Sequence, residues 1–100
     1  MLVIVWEFLV KPDRVEDFES LYREDGAWAE LFRESPGFVS TTLMKDLRNA
    51  HRFMVADRWT SEELFEEFLR THAGPYEALD ARCRRLTERE TELGRFDFLH

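Results

Sequence analysis

Residues 2–10 read LVIVWEFLV, a run of aliphatic and aromatic residues in which Glu7 is the only polar one. Because β-branched and aromatic residues favour extended backbone, the run predicts a strand. A strand with one face in solvent alternates apolar and polar residues, and this run does not alternate. We therefore expect both faces of the strand to be covered, one by helices and the other by a second layer.

The chain after this strand divides into segments with helical or extended spacing. Helical spacing of apolar residues predicts helices over 15–32, interrupted at Asp25-Gly26, over 61–72 and over 75–86. Extended patterns predict three more strands, at 38–45, 52–59 and 87–96, and the short turn after residue 45 makes the first two a hairpin. The order is therefore β-α-β-β-α-α-β.

Residues typical of helix ends separate these segments. Asp13 and Thr60 are predicted N-caps, because each is followed three residues later by a glutamate. Gly74 is expected just beyond the end of one helix and Pro75 at the start of the next.

This order of elements is that of an α+β, ferredoxin-like split βαβ fold, with a four-stranded antiparallel sheet and helices on one face. With 100 residues the chain is expected to form a single domain over residues 1–100. The second apolar face of the first strand has no cover within one chain. We therefore expect a homodimer formed by sheet-to-sheet packing.

Composition excludes several classes of function. The net charge of −7 argues against nucleic acid as a partner, because nucleic-acid binding needs a basic face. The apolar run at 2–10 is too short to span a membrane and lacks the features of a signal peptide. Cys83 is the only cysteine, so no internal disulfide forms, which fits a cytoplasmic location. The histidines lack metal-ligand spacing, so no metal is expected.

Several residues are candidates for a site between the sheet and the helices. Val55, Asp57 and Trp59 alternate along one strand face and would supply an aromatic wall and a carboxylate; the alternative is core packing, with Asp57 paired to an arginine. Glu7, between apolar neighbours, is a candidate general base, and the alternative is a salt bridge to an arginine of a neighbouring strand. His72 is a candidate for proton transfer, or a packing residue at a helix end.

Aromatic residues of the helices are candidates for binding a flat ligand. Tyr22 and Trp28 flank the interruption at Gly26, where a kink would open space, although ordinary core packing is the alternative. Phe65 shares a helix face with His72, and Tyr76 lies four residues beyond His72, where the two can meet at the mouth of a pocket.

Four segments carry a resemblance to a known family: 6–8 (Trp-Glu-Phe), 25–33, 36–38 (Pro-Gly-Phe) and 57–63. Together they resemble the antibiotic biosynthesis monooxygenase (ABM) domain, of the dimeric α+β barrel superfamily, over nearly the whole chain. The resemblance implies a homodimer and, in oxidising members, cofactor-free oxygenation of polycyclic aromatic phenols or anthrones. Such chemistry needs no cofactor, because an electron-rich phenolate can itself pass an electron to oxygen.

The chain departs from this family at two positions. Oxygenating members place an asparagine four residues before the strand-ending tryptophan, and Val55 stands there. Heme-degrading members carry a histidine ligand at a helical position close to Ala78. The resemblance therefore implies no heme, and no cofactor is expected.

These observations lead to one main hypothesis for function and two alternatives. The main hypothesis is a cofactor-independent monooxygenase, or another oxidoreductase, acting on a small aromatic or quinol-like substrate. Trp59 would stack on the substrate, and Glu7, Asp57 or His72 would take the proton. Residues expected to line the site are Tyr22, Trp28, Val55, Phe65 and Tyr76. The alternatives are a non-oxidative isomerase or lyase, and a non-enzymatic small-molecule-binding dimer.

Overall fold

The computed structural model describes residues 1–99, which form four strands and four α-helices. The strands are β1 (Leu2–Val10), β2 (Phe38–Lys45), β3 (Arg52–Trp59) and β4 (Thr87–Asp97). The helices are α1 (Val15–Tyr22), α2 (Ala27–Phe32), α3 (Glu62–Thr71) and α4 (Ala73–Cys83). Short 3-10 turns precede α1 at Pro12–Arg14 and follow α4 at Arg84–Leu86. The predicted strands have these bounds, except that β4 extends one residue further.

The strands form one antiparallel sheet in the order β2-β3-β1-β4. Side chains alternate across β3, where Phe53, Val55, Asp57 and Trp59 are buried and their neighbours are half-buried. The buried side chains pack in one core with residues of all four helices or of their connections. The helices therefore lie on one face of the sheet, and the predicted ferredoxin-like α+β fold is confirmed.

The two faces of β1 differ in how well they are covered. Ile4 and Phe8 face the helices and are almost completely buried, whereas Val3, Val5 and Leu9 on the other face are half-buried. The sequence predicts cover on both faces, and this chain alone covers only one of them fully. The homodimer therefore stays a prediction at this point.

The predicted interruption of the first helical region is confirmed, because α1 ends at Tyr22 and α2 begins at Ala27. Gly26 lies between them, and a Cβ atom there would come within 2.5 Å of the carbonyl oxygen of Leu21. Only glycine, which has no Cβ, allows the chain to fold back this closely. The close approach brings α2 into contact with α1.

Two predicted N-caps are wrong. Asp13 lies inside the 3-10 turn Pro12–Arg14, and no side chain caps α1, which begins at Val15 as predicted. Ser61, not Thr60, caps α3, since its Oγ accepts a hydrogen bond from the Leu64 backbone N–H at 3.2 Å. The backbone N–H of Thr60 instead donates to the Gly37 carbonyl oxygen at 2.8 Å.

The boundary between the last two helices also differs from the prediction. His72 ends α3 and directly precedes α4, so Gly74 and Pro75 lie within the first turn of α4. Pro75 is tolerated there because the first turn of a helix has no internal acceptors for its N–H groups. None of the helices within residues 1–99 is long and apolar enough to span a bilayer.

Candidate functional site

A narrow cavity of about 40 Å³ lies between the sheet and the helices. Its sheet side is formed by Ile4, Trp6, Phe8, Thr41, Val55, Asp57 and Glu90. Its helix side is formed by Tyr22, Trp28, Phe32, Phe65, Tyr76 and Asp80. All four strands and all four helices thus contribute to one cavity, and most of its walls are aromatic.

Asp57 is the buried carboxylate of this cavity, with only 7% of its surface exposed. It pairs across the strands with Thr41, whose Oγ1 donates a hydrogen bond to Asp57 Oδ1 at 2.6 Å. Among residues 1–99 no group bonds the other oxygen, Oδ2. Burial raises the pKa of Asp57 to about 6, while the Thr41 hydrogen bond opposes the rise. A carboxylate with this pKa is suited to accept a proton near neutral pH.

The environment of Asp57 differs from the alternative drawn from the sequence, which pairs it with an arginine. Its partner is the neutral Thr41, and no basic residue lines the cavity. An arginine would have held the pKa of the carboxylate low, which would make it a poor proton acceptor. The neutral partner therefore favours acid–base chemistry over a structural ion pair.

Tyr22 and Trp28 form the deep aromatic wall, where their ring centroids lie 6.1 Å apart. Burial, with a smaller effect of Cys83, raises the pKa of Tyr22 far above its ordinary value, so its hydroxyl stays neutral. Burial also raises the pKa of the Cys83 thiol, which makes it a poor nucleophile. The indole N–H of Trp28 lies close enough to lower the pKa of both groups but makes no well-aligned hydrogen bond.

Tyr76, Asp80 and Glu90 form the outer part of the cavity. The Tyr76 ring meets Trp28 edge-on at 5.1 Å between centroids. Burial and the nearby charges of Asp80 and Glu90 raise the pKa of Tyr76 to about 12. Glu90 is largely exposed as a residue, but partial burial of its carboxylate, followed by the charge of Asp80, raises its pKa.

The structure brings together six of the nine site residues suggested by the sequence. The five residues expected to line a pocket, together with Asp57, all line this cavity: Tyr22, Trp28, Val55, Asp57, Phe65 and Tyr76. The other three, Glu7, Trp59 and His72, lie elsewhere.

Trp59 lies in the core and not on the cavity wall. Its side chain is completely buried, and its ring packs at 5.0 to 5.4 Å against Phe32, Phe38, Phe65 and Phe68. It therefore has no face free to stack on a ligand, although it supports Phe32 and Phe65, which do line the cavity.

Glu7 lies on the opposite face of the sheet from the cavity. Its Oε2 is 2.7 Å from the guanidinium of Arg52, and its Oε1 is 3.5 Å from Arg89, so it occupies the salt bridge foreseen as the alternative. His72 stacks on Phe68 at 4.7 Å, and its Nε2 is 3.4 Å from Glu34 Oε1. It lies at the α3–α4 junction, outside the cavity lining.

Three polar residues of the cavity are absent from the candidates that the sequence suggests. Thr41 comes opposite Asp57 through the register of the β2–β3 hairpin, which the sequence alone leaves open. Asp80 lies one helical turn after Tyr76, and this spacing could have identified it. Glu90 pairs with Phe8 and shares its face of the sheet, which only the pairing of β1 with β4 reveals.

With a volume of about 40 Å³ the cavity has room for water but not for an aromatic ring. Binding a ring therefore requires side chains of the walls to move apart, and a single ring requires the smallest movement. Among residues 1–99 no three His, Cys, Asp or Glu side chains lie close enough together to hold a metal ion. Chemically, the cavity offers one buried proton acceptor within aromatic walls.

Two solved structures show the same fold at low sequence identity. A mutant of SnoaB, a cofactor-independent oxygenase from Streptomyces nogalater, superposes with a TM-score of 0.81 at 23% identity, over 99% of this chain and 93% of that one. PA3566 from Pseudomonas aeruginosa superposes with a TM-score of 0.74 at 17% identity, over 99% of this chain and 94% of that one. A comparison with curated proteins gives no match.

The sequence profile of the antibiotic biosynthesis monooxygenase family matches residues 1–92. This range includes all four helices and every residue that lines the cavity. The chain belongs to the antibiotic biosynthesis monooxygenase family.

Proposed function

We propose that this protein is a cofactor-independent monooxygenase that acts on a small, electron-rich aromatic substrate such as a phenol, hydroquinone or anthrone. The observation that carries the proposal is Asp57, a buried carboxylate with one unpartnered oxygen inside a cavity with aromatic walls. Membership of the family and the fold shared with SnoaB support it.

In the proposed reaction Asp57 takes the acidic proton of the substrate. The resulting anion transfers an electron to O₂, and the two radicals combine at carbon. For a phenol the oxygen adds at a ring carbon that bears hydrogen; one oxygen atom becomes a quinone carbonyl there, and the other leaves as water with that hydrogen and the hydroxyl hydrogen. The protein binds the ring, holds the proton acceptor and excludes bulk water.

The assembly that we propose is a homodimer through the half-buried sheet face. That face carries Val3, Val5 and Leu9 of β1, and Met44 of the edge strand β2 is 44% exposed. A symmetric contact between two such faces would bury the second face of β1, as the sequence of that strand predicts.

A non-oxidative proton-transfer reaction is the second candidate, and Val55 favours it. Val55 lies in the cavity at the position of the asparagine expected in oxygenating members, and its side chain cannot hydrogen-bond a reduced oxygen species. Asp57 would serve an isomerase or lyase equally well as a base.

Oxygen uptake tests the proposed function. The wild type is assayed with an anthrone, a hydroquinone and a catechol, with no metal or flavin added. We expect uptake above the uncatalysed rate and a loss of about 100-fold or more in Asp57→Asn, which keeps the shape of the side chain but cannot accept the proton. Asp13→Asn makes the same change on the surface and serves as the control.

Equal oxygen uptake by the wild type and Asp57→Asn would contradict the role of the carboxylate. Conversion of substrate without oxygen, lost in Asp57→Asn, would establish the isomerase or lyase instead.

A further inference from the structure

The cavity is negatively charged without any compensating cation in its walls. Three carboxylates line it, and they come from three different elements: Asp57 from β3, Asp80 from α4 and Glu90 from β4. None of the lining residues is Lys, Arg or His. Arg84 offsets part of this charge from outside the cavity lining: it is 63% exposed, its Nε lies 3.6 Å from Asp80 Oδ2, and its charge lowers the pKa of Glu90.

The raised pKa of the Tyr76 hydroxyl reflects this negative potential. After burial, the charges that raise its pKa are those of Asp80, Glu90, Asp57 and Glu92. All three cavity carboxylates therefore act on the same point. A ligand with a carboxylate or phosphate would meet repulsion there, and a ligand with a positive charge would be attracted.

The walls offer further features that point to a ligand. Asp57 is more than nine-tenths buried, and its Oδ2 has no hydrogen-bond partner among residues 1–99. Aromatic rings attract cations through their negative faces, and Tyr76 stands beside the outer carboxylates. A hydroxyl at Asp57 and a cation near Tyr76 would satisfy both ends of the cavity.

Burial gives the cavity an inner and an outer end. Asp57 is 7% exposed, Asp80 is half-buried and Glu90 is exposed. A hydroxyl that is to lose its proton belongs at the inner end, and a charge that keeps part of its hydration belongs at the outer end. The small volume favours a single ring between them, because a single ring requires the smallest movement of the walls.

We propose that the substrate is a single-ring phenol with a protonated amine on a short side chain, its hydroxyl at Asp57 and its ammonium group beside Asp80 and Glu90. The position of the hydroxyl rests on the proposed function, whereas the selection for positive charge does not. Phenols with a carboxylate in place of the amine are rejected.

Three probes that share one ring test the selection by charge. Tyramine carries the ammonium group, 4-ethylphenol is neutral, and 3-(4-hydroxyphenyl)propionate carries a carboxylate. Binding is measured by calorimetry at neutral pH without oxygen, so that no turnover is needed. We expect tyramine to bind about tenfold more tightly than 4-ethylphenol, and the propionate to bind more weakly than either.

Variants locate the origin of the preference. In the double variant Asp80→Asn/Glu90→Gln we expect tyramine to bind no better than 4-ethylphenol. Glu77→Gln, an exposed residue of the same helix α4, is the matched control and should keep the wild-type preference.

Each opposing outcome overturns the proposal. These outcomes are 4-ethylphenol or the propionate binding as tightly as tyramine, a preference that survives in the double variant, and no binding of any probe. A preference for tyramine without oxygen uptake would leave the selection by charge standing and reject only the monooxygenase activity.

Discussion

Burying the carboxylate of Asp57 lowers the free energy of unfolding. At the scale of single residues, this loss of stability is the best indication of a function. A carboxylate that is 7% exposed, with one neutral hydrogen-bond partner, stabilises the folded chain less than an apolar residue of similar size would. Its neighbours on the same strand face, Val55 and Trp59, are the apolar residues expected of a core. A carboxylate with a raised pKa among such apolar neighbours is typical of acid–base sites.

The first prediction at this scale concerns Thr41. Thr41→Val removes the hydrogen bond that holds the pKa of Asp57 down, so that pKa should rise above its present value of about 6. Because the lost bond is to a charged group, we expect a rise of about one unit or more. The acidic limb of the kcat/KM profile against pH should move to higher pH by the same amount.

Thr42→Val is the matched control, because Thr42 is exposed and neighbours Thr41 in β2. A limb that stays in place in Thr41→Val would show that Asp57 does not set the pH dependence.

The second prediction concerns stability against pH. The folded pKa of Asp57, about 6, lies above the ordinary value of 3.8, so between these values the folded chain binds more protons than the unfolded chain. The free energy of unfolding therefore falls as the pH rises from about 4 to about 6, by about 2–3 kcal/mol from this group. Asp57→Asn should lack this fall and should be more stable than the wild type above pH 6.

Urea unfolding of both proteins at several pH values measures this difference. A wild type that gains stability over that range relative to Asp57→Asn would contradict the raised pKa.

At the scale of elements, the α1–α2 connection positions one wall of the cavity. Trp28 and Phe32 belong to α2, which follows Gly26 directly. A Cβ at Gly26 would collide with backbone atoms, whereas a Cβ at Gly74 in α4 would meet nothing within 4 Å. The two glycines therefore respond to the same substitution in opposite directions.

Gly26→Ala should lower the free energy of unfolding by about 2 kcal/mol and weaken ligand binding, because α2 must shift. Gly74→Ala should raise the free energy of unfolding by about 0.5–1 kcal/mol, because alanine costs less backbone entropy in a helix. Thermal unfolding of the two variants beside the wild type measures both effects. Equal stability of the two variants would contradict the close approach at Gly26.

The sequence predicts the elements better than their ends. Strand propensity and alternation identify β2 and β3 to the residue, because both have turn residues at their borders. The cap of α3 is missed by one residue, since Thr60 and Ser61 are adjacent and both suit the role, and only the backbone contact of Thr60 with Gly37 decides between them.

A bulge in β4 shows what pairing adds to sequence. Trp6 pairs with Glu92 and Val5 with Gly94, so Leu93 is the extra residue. The bulge allows Glu90 and Arg95 to face the helices although they are an odd number of residues apart. Arg95 there contacts Glu62 and Glu66 of α3, at 3.1 and 2.9 Å. Gly94, directly after the extra residue, is the one feature of the β4 sequence that indicates a bulge here.

At the scale of the whole molecule, the two faces of the sheet have different roles. The helix face holds the core and the cavity, and the other face exposes apolar residues together with the Glu7–Arg52 salt bridge. Alternation along a strand could predict which face a residue occupies, as it did for Val55 and Asp57. It could not predict how deeply a side chain on that face is buried. For this reason it could not distinguish Trp59, which lies in the core, from the residues of the cavity wall.

The prediction at this scale is a homodimer formed through the half-buried sheet face, the one opposite the helices. Val5 lies at the centre of this face, where it is half-buried and pairs with Ala56 of β3. Val5→Asp should give a folded monomer, because the dimer would have to bury the new charge without a partner. Leu47→Asp, at a residue that is 100% exposed in the hairpin turn, should remain a dimer. Light scattering after size exclusion gives the mass, and circular dichroism checks the fold; a monomeric wild type would contradict the assembly.

The most direct test of Asp57 as the proton acceptor of a ligand site is carbon-13 NMR titration of its carboxyl group. The titration is carried out without ligand and with 4-ethylphenol, and Asp57→Asn assigns the signal. We predict a pKa of about 6 in the free protein and a clear shift of the signal when the phenol is added. A carboxyl group that titrates at its ordinary value of 3.8, and whose signal ignores the phenol, would contradict both the raised pKa and the ligand site.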